Sequence, residues 1–138
     1  MIQNYKIKTI NEICEIVKEP RKNKIAMCHG VFDVVHPGHI RHLTYAKEKS
    51  DILIASITTD KFIQKGEDRP YIPEDLRAKN LAVFEMVDYV IIDQNPTPIE
   101  NILKIKPNYF IKGFEYKDNV NPKTQEEIFK QASNQEKS

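Results

Sequence analysis

KIAMCHGVFDVVHPGH, Lys24–His39, is the stretch on which the fold turns. Lys24 to Cys28 is short and apolar and Gly30 follows, which predicts a buried strand. Pro37 suits the first turn of a helix, and the helix predicted to run on to Lys49 carries Ile40, Leu43, Tyr45 and Ala46. Between the two lies a glycine turn. Backbone N–H groups at a helix start are unpaired and point outward, and the helix dipole adds positive potential there. His36 and His39 sit at that end, and Gly38 between them has no side chain to keep a phosphate from the backbone. Either imidazole can donate a hydrogen bond to a phosphate oxygen. A protonated one can neutralise charge that builds in a phosphoryl transition state. No serine or cysteine nucleophile stands out, and none is needed where a substrate phosphate attacks.

The same alternation continues outward. Thr9 to Lys18 has helical spacing (Ile10, Ile13, Cys14, Val17), with Thr9 as cap and Pro20 as stop. Asp51–Thr58 is a second buried strand, and 64–72 is a polar loop. A helix is predicted over Pro73–Met86 with Leu76, Leu81, Val83 and Phe84 on its apolar side. A strand follows at Asp88–Ile92. The next helix spans Thr97–Ile105, capped by Thr97 with Pro98 at its first position. Pro107 ends it before a strand at Asn108–Ile111. Short apolar strands alternating with helices define an α/β class: a Rossmann-like, doubly wound parallel sheet flanked by helices. Ligands bind such sheets beyond the carboxyl ends of the strands, which selects the loops 28–37, 58–71 and 112–118. From Asn119 to Ser138 the chain is polar. A helix is expected over Pro122–Ala132, with Ile128 and Phe129 its large apolar residues, and the last six residues read as frayed.

Composition bounds the partners. The 138 residues suffice for one domain, 1–138, with its core at about 24–117. The balance of 21 Lys and Arg against 20 Asp and Glu leaves no global basic field for nucleic acid, so any anion site is local. No apolar run approaches the roughly 20 residues of a membrane helix, and the start lacks a signal-peptide pattern. Cys14 and Cys28 have no metal or redox spacing and read as buried thiols of a reducing cytoplasm. His36 and His39 lie i,i+3, but two ligands with Asp33 as the near carboxylate make a poor metal site, so none is expected from the protein.

GVFDVVHPGH, Gly30–His39, resembles the G-x-F-D-x-x-H-x-G-H signature of the cytidylyltransferase-like nucleotidyltransferases, which are similar to class I aminoacyl-tRNA synthetases in their His-x-Gly-His motif. The resemblance runs from about Lys24 to Lys117. It implies joining ATP or CTP to a phosphorylated small molecule, with Mg2+ and release of pyrophosphate, in a protein that is often a homodimer. It implies catalytic roles for His36, His39, Lys65 and Arg77. It places the nucleotide on Gly30, Val31, Phe32, Asp33, Gly38 and His39, with Lys112, Gly113, Phe114 and Glu115 gripping base and ribose. It places the acceptor on Asp33, Asp60, Lys65 and Arg77.

Within that family, Arg69-Pro70 and DQNPTPIENILKIKPNYFIKGFEY, Asp93–Tyr116, look most like the adenylyltransferases for D-glycero-β-D-manno-heptose 1-phosphate. Glycerol-3-phosphate cytidylyltransferases are similar in the first loop but lack the later Lys-Pro…Lys-Gly run. There are two departures. Phe114 and Glu115 stand where the heptose enzymes have Gly and Asp, and the family's late Ser-Thr-Thr element has no counterpart. The second leaves three alternatives: a fragment of a longer polypeptide, a replaced motif or a degenerate site.

Plainer readings exist for several of these residues. Arg77 can pair with Glu74 or Asp75 on its own helix, and Lys65 can be solvated. His29 and His42 are expected in packing or solvent, and Tyr5, Tyr71, Tyr89 and Tyr109 in packing. Three functions are carried forward: a sugar-phosphate (or polyol-phosphate) nucleotidyltransferase, a non-catalytic nucleotide-binding domain of a larger protein, and an adapter or oligomerisation domain that binds no nucleotide.

Overall fold

In a computed structural model, residues 5–63, 70–112 and 123–124 are described. β1 (Ile25–Gly30) is the central strand. β2 (Ile52–Thr58) lies parallel on one side of it, and β4 (Tyr109–Lys112) lies parallel on the other. β3 (Tyr89–Asp93) continues the sheet beyond β2. The chain therefore steps outward from β1 to β2 to β3 and then crosses back to β4. The strand order reverses between β1 and β4, and such a switch point opens a crevice at the carboxyl ends of the strands. In register, His29 lies between Ser56 and Lys112, Gly30 faces Ile57, and Thr58 faces Asp93.

Period-two alternation divides the strand residues between two cores. Ala26, Cys28, Ala55, Ile57, Val90 and Ile111 face α2 (Pro37–Glu48) and α3 (Glu74–Ala82), where Leu43, Ala46, Ala78, Leu81 and Ala82 meet them. Ile25, Met27, Ile54, Ile91 and Phe110 face α1 (Ile10–Val17) and α4 (Ile99–Ile105), against Ile13, Val17, Ile102 and Ile105. Leu43 and Leu81 are fully buried, and truncating either to alanine costs about 2–5 kcal/mol. α1 starts as its sequence predicts. Thr9 Oγ1 accepts the Glu12 N–H at 3.2 Å, and Glu12 Oε1 accepts the Thr9 N–H at 3.0 Å, a reciprocal capping box.

Four expectations need correction. α3 ends at Ala82, and Leu76 and Val83 are exposed. The stripe that faces the sheet is Arg77, Ala78, Leu81 and Ala82, because the alanines allow close approach and the buried Arg77 finds acceptors in Val31 O, Ile72 O and Asp60. α4 begins at Ile99 with Pro98, already in helical conformation, at the boundary, and no side chain of Thr97 caps it. Within the span expected to be helical from Pro122, Lys123–Thr124 forms a two-residue strand, β5, antiparallel to β4. The outer edge of β4 offers unpaired backbone groups, and an extended segment satisfies them. Cys28 is buried, with its thiol pushed up to about 12 by burial, whereas Cys14 is half-buried.

Candidate active site

The loop between β1 and α2 is built by three devices. Phe32 turns the chain through the left-handed region at φ 52°, unusual for a residue with a Cβ. Its ring is 2% exposed and lies 5.5 Å from the ring of His39, so packing holds the turn. Asp33, also buried, accepts the Tyr71 and Ile72 N–H groups, both at 2.9 Å, on its two carboxylate oxygens. Arg77 is 0% exposed and donates to Val31 O at 2.7 Å, to Ile72 O at 2.9 Å and to Asp60 Oδ1 at 2.6 Å. Asp60 in turn exchanges hydrogen bonds with Glu74: its N–H donates to Oε1 at 2.9 Å, and its Oδ2 accepts the Glu74 N–H at 3.3 Å. The loops after β1 and β2 and the start of α3 thus form one braced unit.

The two histidines sit on this platform at the first turn of α2. His36 Nδ1 accepts the Gly38 N–H at 3.0 Å, and His39 Nδ1 accepts the His36 N–H at 3.1 Å. Their rings are 4.0 Å apart between centroids. An Nδ1 that accepts must be unprotonated, so each neutral ring carries its proton on Nε2. Burial, then the charges of His36 and His42, pushes His39 down to about 4. At neutral pH His39 is therefore a neutral N–H donor at a helix start, with the α2 dipole and backbone amides supplying the positive potential.

The expected residues fall into three groups. Gly30, Val31, Phe32, Asp33, His36, Gly38 and His39 come together around one loop, and Asp60 and Arg77 adjoin it from behind. Arg77 pairs with neither Glu74 nor Asp75 through its guanidinium. It reaches Asp60 instead, and its other donors face backbone carbonyls. Lys112 ends β4 beside His29. Lys65, Gly113, Phe114 and Glu115 lie outside the described residues. Sequence reasoning missed a second set of polar residues. His29 Nδ1 is 2.8 Å from Ser56 Oγ and its Nε2 is 3.2 Å from Thr58 Oγ1, while Asp93 is fully buried at the end of β3. Hydroxyls and a carboxylate at the carboxyl ends of otherwise apolar strands were the available signal.

The chain is similar to known proteins in sequence and in fold. A cytidylyltransferase-like family model matches residues 27–135. The chain belongs to the cytidylyltransferase-like family. It is 39% identical over 115 residues to a bifunctional protein HldE of Campylobacter concisus, covering 82% of this chain and 24% of that protein. It is 43% identical over 117 residues to an HldE of Campylobacter jejuni, covering 83% of this chain and 25% of that protein. The chain thus spans about a quarter of the length of these curated relatives. A lipopolysaccharide core biosynthesis protein from Thermoplasma volcanium shares the fold at a TM-score of 0.65 and 22% identity, over 83% of this chain and 89% of that one. A pantoate-beta-alanine ligase from Francisella tularensis does so at 0.58 and 19% identity, over 94% of this chain and 62% of that one. The Rossmann-like fold expected from the alternation of strands and helices is that of these structures. Among the described residues no helix is long and apolar enough to cross a membrane, and no cluster of three or more His, Cys, Asp or Glu could hold a metal ion.

Proposed function

We propose that this chain is one nucleotidyltransferase domain that transfers a nucleotidyl group from ATP or CTP to a sugar phosphate, as in nucleotide-activated heptose synthesis. The carrying observation is the histidine pair at the start of α2, with both Nδ1 atoms held by backbone N–H groups. An oxygen of the acceptor phosphate attacks the α-phosphorus of the triphosphate and forms a new P–O bond. The bond from the α-phosphorus to the oxygen bridging it to the β-phosphorus breaks, and its electron pair leaves with pyrophosphate. The Nε2–H groups of His36 and His39 and the amides of the α2 start stabilise the charge that develops. Lys65 contributes a further cation. Asp33, Asp60 and Arg77 act by positioning, since their polar atoms bind the loops. The carboxylates of Asp33 and Asp60 are committed to those bonds and do not fit as magnesium ligands. Magnesium therefore belongs with the triphosphate. Lys112 to Glu115 hold base and ribose in this reading.

Support for a sugar rather than a polyol comes from the HldE relatives and the Asp93–Tyr116 stretch. We place the domain in the cytoplasm as a homodimer, which sedimentation tests. The function is tested by pyrophosphate release from ATP and CTP against a panel of sugar 1-phosphates and polyol phosphates. Release with a sugar phosphate is expected. Calorimetric binding of a triphosphate without release from any acceptor would instead mark a non-catalytic nucleotide-binding domain.

A further inference from the structure

The sheet face that packs on α1 and α4 is apolar along most of its length but turns polar at its carboxyl end. By alternation His29 continues the side of Ile25 and Met27, Ser56 and Thr58 continue that of Ile54, and Asp93 continues that of Ile91. These groups are joined in two steps. His29 is within hydrogen-bond distance of both Ser56 and Thr58, at 2.8 and 3.2 Å. Thr58 is the register partner of Asp93, whose Oδ1 accepts the Asn95 backbone N–H and Nδ2, both at 2.9 Å. Asn95 Nδ2 also approaches Asn101 Oδ1 at 3.4 Å.

Polar side chains buried this deeply are costly unless they are satisfied. Ser56 and Asp93 are 0% exposed and Asn101 is 2% exposed. Asp93 Oδ2 is buried with no hydrogen-bond partner among the described residues. A cavity of about 410 Å³ opens beside the cluster between the start of α1, the end of β3 and α4, with Asn95 and Asn101 in its wall. Across three neighbouring strands the strip spans about 10 Å. It begins at His29, next to the loop that carries the histidine pair.

We propose that this strip is the subsite for the hydroxyl groups of the acceptor sugar, with Thr58, Asp93, Asn95 and Asn101 as its specificity-determining residues. The inference rests on the sugar-phosphate reading above. Its chemistry is that of a polyhydroxylated ligand: amides and hydroxyls both donate and accept, as sugar hydroxyls do. Bulk positive charge is not required, because the phosphate is held at the α2 start. A site built to hydrogen-bond a hydroxyl discriminates strongly against a ligand that lacks it.

The test is an NMR titration of the 15N-labelled chain with β-D-mannose 1-phosphate and, separately, with inorganic phosphate, beside the pyrophosphate-release assay. The side-chain amide signals of Asn95 and Asn101 are expected to move with the sugar phosphate and not with phosphate. Thr58→Val is expected to weaken sugar-phosphate binding about tenfold, with Thr58→Ser restoring it. Thermal melts of both variants report that the fold is kept. Unmoved amide signals, or equal affinities of wild type and Thr58→Val, would overturn the subsite even where pyrophosphate is released. Moved signals without release from any acceptor count against the transfer reaction and leave the subsite standing. A protein showing neither overturns both.

Discussion

The backbone N–H of His36 donates to Nδ1 of His39 across 3.1 Å, so the residue that caps α2 also orients the second histidine of the motif. The same bond decides where the His39 proton resides. A ring held this way carries its proton on Nε2 and cannot protonate on Nδ1 without losing its support.

Replacing His39 separates these two roles. His39→Ala is expected to lower turnover about 10²–10³-fold, the scale of a lost transition-state donor. His39→Asn keeps an acceptor near the His36 N–H but has no group at the Nε2 position. It is expected to lose comparable turnover while melting within a few degrees of wild type. A His39→Asn enzyme with wild-type turnover would remove Nε2–H from the mechanism.

Stability should depend on pH through the same ring. His39 is pushed down to about 4 from 6.5, chiefly by burial. Between those values the unfolded chain binds more protons than the folded one, so the contribution is complete above 6.5 and lost as pH falls toward 4. Urea midpoints measured across this window should drop with acidification, and less steeply in His39→Asn. Identical slopes for the two proteins would contradict the assignment.

Arg77 is expected to matter before any ligand arrives. Arg77→Met removes the donors to Val31 O, Ile72 O and Asp60 and should cost about 3 kcal/mol, the lower end for a broken buried ion pair because Asp60 can be rehydrated. The loss should appear in nucleotide-free thermal melts. An unchanged nucleotide-free melt with a raised KM for triphosphate would mean that Arg77 works by touching phosphate.

Asp33→Asn leaves one oxygen where two accept backbone N–H groups. The expected cost is about 1–2 kcal/mol together with a raised KM for the triphosphate, as the loop after β1 loosens from Tyr71 and Ile72. Denaturant titration and steady-state kinetics on the same preparation check both parts.

Chelation of magnesium should stop pyrophosphate release and leave the nucleotide-free melting curve unchanged, since the carboxylates at the site are already bonded within the protein. A drop in melting temperature on chelation would point to a metal held by the chain itself.

Much of this was legible from residue order. Thr9 and Glu12 announce the capping box of α1, and the apolar runs at 24–28, 51–58, 88–92 and 108–111 each mark a strand, because burial on both faces demands continuous apolar side chains. The histidines could be placed at a helix start because Pro37 and Gly38 allow little else there. α3 was read less well. Leu76 and Val83 fit an apolar stripe by spacing, yet the side of the helix that meets the sheet carries two alanines and a buried arginine, and spacing alone cannot show which stripe finds partners.

By itself the sequence determined the α/β class and the strand–turn–helix unit at 25–48 with two histidines at its helix start, since these follow from local periodicity and turn chemistry. Only the tertiary structure decided what Asp33, Asp60 and Arg77 do, because the bonds that join them to other loops reach residues 14 to 46 positions away in the chain. It alone also gathered His29, Thr58 and Asp93 onto one face. Each looks isolated in its own strand, and parallel register is what brings the three strand ends side by side.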